Sequence, residues 1–295
     1  MGRGACDGTA TAGTMTARRT RVVREGTDMA DAMVIKPGSK VKLKEHDPAA
    51  TPGVKDKGAA LEELDRLRTE MCQLQERLYA EHRRALLVVV QAMDTGGKDG
   101  TVKSVMSGVN PAGVEITSFK APSEEERAHD FLWRVHQRVP RKGNIGIFNR
   151  SHYEDVLIAR VHGLAAPKEI EHRYGVINRF EENLTETGTV VLKFFLHISK
   201  DEQKRRLEER LADPTKVWKF DPSDLREREK WDDYQRAYEV ALTRCSTKHA
   251  PWSIVPADRK WFRNVVVARG VVAALREMDP QPPPATFDPA AIAVT

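Results

Sequence analysis

An apolar run, Ala85-Leu86-Leu87-Val88-Val89-Val90, leads straight into Gln91-Ala92-Met93-Asp94-Thr95-Gly96-Gly97-Lys98-Asp99-Gly100. A strand that stops in a glycine-rich turn, followed by a lysine and a helical stretch, is an arrangement that binds phosphate. Gly96 and Gly97 let the backbone curl so that its N–H groups face one concavity. The N-terminus of the following helix adds positive potential, and Lys98 supplies a mobile point charge for phosphate oxygens. The stretch 92–99 departs from G-x-x-x-x-G-K-[ST] twice. Ala92 replaces the first glycine, and Asp99 replaces the Ser/Thr that usually touches magnesium. Asp94, inside the loop, is therefore the first candidate to hold Mg2+ against phosphates, with Mn2+ an acceptable substitute. Gly100 extends the turn. The competing reading is a solvated GGKDG turn with no ligand, and the strand and helix on either side argue against it.

A second apolar run, Asn144 to Phe148, ends in Asn149-Arg150-Ser151. Phosphotransferases built on such a loop usually carry an Asp at the tip of a neighbouring strand. Asn149 occupies that place and can accept from a metal-bound water, while Arg150 can grip a phosphate with two N–H groups. Ser151 is a good helix N-cap and Glu154 closes a capping box with it, a structural role that coexists with function. His152 is read as structural, not as a general base. Farther on, Lys204-Arg205-Arg206, Arg210, Lys216, Trp218 and Lys219 crowd a break at Asp213-Pro214. Such a run is either a solvated helix face or a closing lid whose arginines offset transition-state charge. The residues alone leave both readings standing. Of the five tryptophans, most are expected in the core.

These groups need elements to carry them. Leu61, Leu64, Leu67, Met71, Leu74 and Leu78 recur every three or four residues and predict a packing helix over 57–83. Further helices are expected at 98–107, from Ser123 with a capping box, at 167–185, 201–211 and 258–277, with one long helix over 223–245. Strands are expected at 85–90, 114–119, 145–149, 190–197 and 253–255. Alternating strands and helices imply an α/β domain with a central parallel sheet covered on both faces. One domain over 41–278 is the simplest division, with a lid at about 205–230. Residues 1–40 are expected to be a disordered tail, with Met29 or Met33 an alternative start, and 279–295 a mobile proline-rich tail.

Composition excludes rather than selects. The chain has 295 residues, 31% of them charged, and a net charge of +5, which is too mild to argue for nucleic acid. Three cysteines in no metal spacing fit a reducing compartment. No apolar run approaches the roughly 20 residues needed to cross a bilayer. The cytoplasm is the expected location, with no membrane or nucleic-acid partner.

Several ordered stretches, MDTGGKDG, FKAPSEEE, FNRSHYEDVL, KFFLHISKDEQKRRLEERLADPTKVWKF and APWSIVPADRKWFRN, resemble the polyphosphate kinase 2 family over residues 40–275. The resemblance implies a three-layer P-loop kinase fold with an Arg-rich helical lid. It also implies magnesium-dependent transfer of a phosphoryl group between inorganic polyphosphate and nucleotides. Asp94 and Lys98 match the loop carboxylate and lysine, and Asn149 and Arg150 match the second motif. Arg205, Arg206 and Arg210 match the lid, and Lys120 would face the phosphate channel. Many members carry Asp-Arg at the position of Asn149-Arg150. Glu154 resembles the branch that accepts AMP as well as ADP. Competing readings are an ATP-dependent kinase on the same fold, a non-catalytic polyanion-binding protein with a degenerate loop, and an NTPase motor. A homo-oligomer is expected, with 58–83 and 223–245 able to carry an interface.

Overall fold

The computed structural model describes residues 33–294. Six strands form one sheet: β1 (Met33–Val34), β2 (Ala85–Ala92), β3 (Val114–Ser118), β4 (Ile145–Asn149), β5 (Thr189–His197) and β6 (Trp252–Pro256). Their order is β1-β6-β5-β2-β4-β3. All neighbours are parallel except β1, which runs antiparallel to β6. Every residue of β2 is buried, as a central strand with both faces covered requires. The chain leaves β2 toward β3 on one side and leaves β5 toward β6 on the other. A crevice therefore opens at the carboxyl ends of these two strands.

The helices are α1 (Lys57–Glu81), α2 (Lys98–Val105), α3 (Glu124–Ala128), α4 (Trp133–His136), α5 (Ile158–Val161), α6 (Pro167–Glu186), α7 (Lys200–Ala212), α8 (Ser223–Glu229), α9 (Trp231–Cys245) and α10 (Lys260–Met278). On one side α1 and α2 pack against α10, and on the other α6 packs against β5 and α9. Among the described residues, no helix is long and apolar enough to cross a membrane. The predicted capping box of α3 is present, with Ser123 and Glu126 bonding reciprocally.

Four expectations need correction. The disordered tail of 1–40 lies outside the described residues as far as residue 32. Its last part is an edge strand, and Ile35 behind it is buried and donates its N–H to the Trp252 carbonyl at 2.8 Å. The helix over 223–245 is two helices that meet at Lys230, which caps both. On α1, Leu61 is exposed and Ala60 takes the inward place, because 60, 64, 67, 71, 74 and 78 lie closer to one stripe of a 3.6-residue period. Of the tryptophans, Trp231 and Trp252 are buried, but Trp218 is exposed.

A buried ion pair anchors the elements beneath the crevice. Lys193, in the middle of β5, is fully enclosed and spends three protons on three partners: Glu181 Oε2 (2.6 Å), the Tyr153 hydroxyl (2.8 Å) and the Cys245 carbonyl (2.6 Å). Glu181 also accepts from the Tyr153 hydroxyl at 2.9 Å and pairs with His152 Nε2 at 3.1 Å. Burial alone would raise the Glu181 carboxyl, but Lys193 and His152 outweigh it and hold it below the usual range. The network joins β5, α6, the end of α9 and the turn that carries Glu154. Lys193→Met leaves Glu181 buried without its cation and should cost about 3–5 kcal/mol. The double change Lys193→Met/Glu181→Leu should recover part of that loss. Urea unfolding measures both, and a single variant within 1 kcal/mol of the parent would show that the pair does not anchor the core.

Candidate active site

The loop after β2 is shaped by contacts that leave no room for side chains. A Cβ on Gly96 would lie 2.5 Å from the Cβ of Ala92 and 2.8 Å from the Met93 carbonyl oxygen. The methyl group at Ala92 is thus accommodated because Gly96 lacks one. Gly97 sits at φ 94° and opens α2 as its N-cap, in the left-handed region that favours glycine. Thr95 (φ 59°) and Arg150 (φ 62°) also occupy that region without being glycine, a strained conformation that gathers at functional sites. Lys98 folds over the loop and donates to the carbonyls of Ala92 (2.9 Å) and Met93 (3.3 Å).

The second strand end meets this loop directly. Arg150 Nη2 donates to Asp94 Oδ1 at 2.8 Å, and the Asn149 amide donates to Asp99. The Arg150 N–H also holds the Val90 carbonyl of β2 at 3.1 Å. Ser151 caps the next turn as expected, accepting from the Tyr153 N–H at 3.2 Å. That turn, His152–Asp155, is a single 3-10 turn rather than the start of an α-helix. The expected capping role of Glu154 is not what forms. Its carboxylate is turned inward, within electrostatic reach of Arg150 and Lys98. His152 is buried against Glu181, in the structural role read for it.

Charges in this cluster shift one another. Burial, then the neighbouring Arg150, lowers the Lys98 ammonium, while Asp94, Glu154 and Asp99 oppose that shift. Burial raises the Glu154 carboxyl against the pull of Arg150 and Lys98. Burial would lower Arg150, but Glu154 and Asp94 carry it above its ordinary value. Two tyrosines of α9, Tyr234 and Tyr238, lie within electrostatic reach of Asp94 and Glu154.

A cavity of about 670 Å³ extends from this cluster to the loop after α7. Of the sequence-predicted residues, Asp94, Gly97, Lys98, Asp99, Gly100, Lys120, Asn149, Arg150, Arg206 and Arg210 line it. Gly96 shapes the loop behind it, and Glu154 stands behind Lys98 and Arg150. The three lid arginines part company. Arg205 is exposed and paired with Glu202 and Glu209, outside the cavity lining. Arg206 is buried and braces the loop, donating Nη1 to the carbonyls of Thr95 (3.1 Å) and Gly96 (3.0 Å) and Nη2 to that of Ala257 (2.5 Å). Arg210 faces the cavity between the Lys219 carbonyl and Asp224, each at 3.4 Å.

Sequence reasoning missed Gln203, whose amide donates to the Asp94 carbonyl at 3.0 Å, and also Asp224, Lys260 and Arg263, which line the cavity. Gln203, Lys260 and Arg263 lie inside the stretches that carry the family resemblance, and their placement behind or beside the loop is a tertiary fact. Among the described residues no three His, Cys, Asp or Glu side chains form a metal cluster. The donors present are Asp94, with Asp99 beside it. One or two carboxylates completed by phosphate oxygens and water suit Mg2+. A second concavity, about 540 Å³ along α1 from Arg66 to Arg77, is lined by a single helix.

The family model described as Polyphosphate kinase 2 (PPK2) matches residues 54–283. The chain is 51% identical over 250 residues to an AMP/ADP-polyphosphate phosphotransferase of Meiothermus ruber, covering 84% of this chain and 94% of that protein. It is 45% identical to an ADP-polyphosphate phosphotransferase of Rhodopseudomonas palustris, covering 73% and 79% respectively. The crystal structure of Polyphosphate Kinase 2 from Arthrobacter aurescens TC1 superposes with a TM-score of 0.84 at 48% identity, over 86% of this chain and 92% of that one.

The electrostatic coupling yields a signed expectation. Because the Lys98 ammonium sits below its ordinary 10.5, affinity for inorganic tripolyphosphate should fall on the alkaline side before an ordinary lysine would titrate. Glu154 raises Lys98, so Glu154→Gln should move that alkaline limb to lower pH. Binding isotherms from pH 7 to 10 read it, and a limb that stays put or moves upward contradicts the coupling.

Proposed function

The chain belongs to the polyphosphate kinase 2 family, and from that premise we propose that it moves a terminal phosphoryl group between inorganic polyphosphate and an adenine nucleotide, accepting AMP as well as ADP. The observation that carries this reading is the charge of the cavity. Nine cationic side chains line it against four carboxylates, and they continue from the loop lysine out to Lys216 and Lys219. A single nucleotide phosphate needs fewer. A chain of phosphoryl groups can use them all, and a cleft of one charge sign also concentrates its polyanion.

Transfer is direct and in line. The loop amides and Lys98 hold the phosphoryl group in transit, and Arg150, fixed by Asp94, is aimed at the same space. Magnesium held by Asp94, with Asp99 beside it, would neutralise phosphate charge there. Arg210, in the last turn of α7, and Lys216 and Lys219, on the segment after it, close the outer end over the polyphosphate. An AMP or ADP phosphate is already largely ionised near neutral pH, so no strong base is needed. The AMP assignment is supported by Glu154 behind Lys98 and Arg150 and by the likeness to the Meiothermus ruber protein. Among the described residues the two cysteines, Cys72 and Cys245, are unpaired, which favours the cytoplasm.

The test supplies magnesium, long-chain polyphosphate and either AMP or ADP, with no ATP, and separates products by ion-exchange chromatography. ADP and ATP should form from AMP. ATP from ADP alone would remove the AMP assignment, and activity only with ATP as donor would overturn the polyphosphate reading. Asp94→Asn and Lys98→Ala should each lower kcat/KM by about 10²- to 10⁴-fold with melting temperatures little changed. Transfer that survives both changes would show that the site is elsewhere. Raising salt from 50 to 500 mM should raise the KM for polyphosphate more than that for AMP.

A further inference from the structure

Arg263 stands in the first turn of α10 and is only 3% exposed, yet its charge is answered by no carboxylate among the described residues. Its Nε and Nη2 donate to one neutral oxygen, Asn264 Oδ1, at 3.1 and 2.9 Å. Asn264 is itself oriented by its amide, which donates to Ser104 Oγ at 2.9 Å on α2, and Arg68 Nη2 donates to the same hydroxyl at 3.0 Å. This relay from α1 through α2 fixes the plane of the guanidinium and leaves its full positive charge in place.

The remaining group, Nη1, points at the phosphate-binding loop. A Cβ built on Gly97 would lie 2.0 Å from Arg263 Nη1 and 3.4 Å from Arg206 Nη1. Two guanidinium groups thus converge on the glycine that opens α2. Arg206 is balanced by Glu202, 2.6 Å away. Arg263 is not, and burial together with Arg206 lowers its pKa to about 9. A buried cation gripped by an amide instead of an acid destabilises the fold. Arg263 nonetheless lines the cavity, as Lys260 one turn before it does.

We propose that Arg263 is a phosphate ligand of this site, with Nη1 binding a phosphoryl oxygen of the polyphosphate chain at the Gly97 corner, and that Asn264 is the positioning residue that keeps its charge available. The inference rests on the proposed polyphosphate reading for the identity of the anion. Of the carboxylates nearby, Glu202 is bound to Arg206 and Asp99 to Asn149, so neither compensates Arg263, and the corner is assigned to the repeating phosphate chain rather than to the nucleotide.

The test is calorimetric titration of the full chain with inorganic tripolyphosphate and, separately, with AMP, alongside melting temperature and turnover. Arg263→Met should weaken tripolyphosphate roughly 10- to 100-fold, the range of a lost charge-assisted hydrogen bond, and leave AMP affinity within about twofold. Its melting temperature should hold or rise, since an unbalanced buried charge is gone. Arg263→Lys should recover part of the affinity. Asn264→Asp is the decisive variant: it keeps the guanidinium in place but neutralises it, so tripolyphosphate binding should weaken although the fold gains an ion pair. Full tripolyphosphate affinity in both Arg263→Met and Asn264→Asp would overturn the proposal. So would losses that fall equally on AMP and track a lower melting temperature. Turnover separates this from the broader reading. Arg263-dependent tripolyphosphate binding in a protein that transfers nothing from polyphosphate would sink the activity and keep the ligand. Normal transfer with Arg263-independent binding would sink the ligand alone, and no tripolyphosphate binding by the parent protein would sink both.

Discussion

Five consecutive carbonyls of the phosphate-binding loop are each held by a side chain, and that restraint is what makes a phosphate site of an ordinary turn. Lys98 takes the carbonyls of Ala92 and Met93, Gln203 takes that of Asp94, and Arg206 takes those of Thr95 and Gly96. A peptide plane whose oxygen is pinned on one side presents its N–H on the other. Pinning the run therefore turns its amides, apart from the Gly96 N–H that closes the turn on the Met93 carbonyl at 3.0 Å, toward the cavity and forms the concave nest that favours anions. The donors come from the loop itself and from α7. The register of α7 against the β2 end is thus part of the site, although neither Gln203 nor Arg206 has to touch a substrate to matter.

Around that nest the charges are sorted by direction. Asp94, Asp99 and Glu154 gather where the β4 end meets the loop, each beside a partner from the opposite element: Arg150, Asn149 and the Lys98–Arg150 pair. Toward α10, the end of α7 and the segment after it the cations outnumber the carboxylates: Arg206, Arg210, Lys216, Lys219, Lys260 and Arg263 line the cavity there against Glu209 and Asp224. The acidic side can organise a metal and a compact nucleotide phosphate, and the basic side can only attract more phosphate. An in-line reaction between a long polyanion and a small acceptor needs such asymmetry, since each substrate must approach its own end of one axis.

The sheet was legible because its signals are local. Runs such as Leu86–Val90 and Ile145–Phe148, closed by glycine or polar residues, yielded all five parallel strands to within a few residues. The glycine-lysine turn and the Asn149-Arg150 end were legible for the same reason. What escaped was set by distant contacts. The two-residue strand at Met33 has no pattern of its own and exists because β6 offers it an edge. The single helix read over 223–245 breaks at Lys230, where His162, at the end of α5, accepts from the Lys230 ammonium at Nδ1 and donates its Nε2–H to the Glu227 carboxylate. Arg205 and Arg206 look alike in sequence, yet one helical step of about 100° puts one among exposed glutamates and the other under the loop. Glu154 had good spacing for a cap, and the Lys98–Arg150 pair drew it inward instead.

The glycine pair illustrates how backbone need and side-chain placement are coupled here. Gly96 is required by its contact with Ala92, so the departure from the usual first glycine is compensated inside the loop itself. Gly97 is required twice over. Its φ of 94° favours glycine on backbone grounds, and the space its missing Cβ would fill is taken by Arg263 Nη1. An asparagine could tolerate the first demand, but any side chain would collide with the guanidinium and push it from the cavity wall. The second glycine therefore does more than permit a turn: it is the opening through which a charge from α10, four strands later in the chain, reaches the phosphate-binding loop.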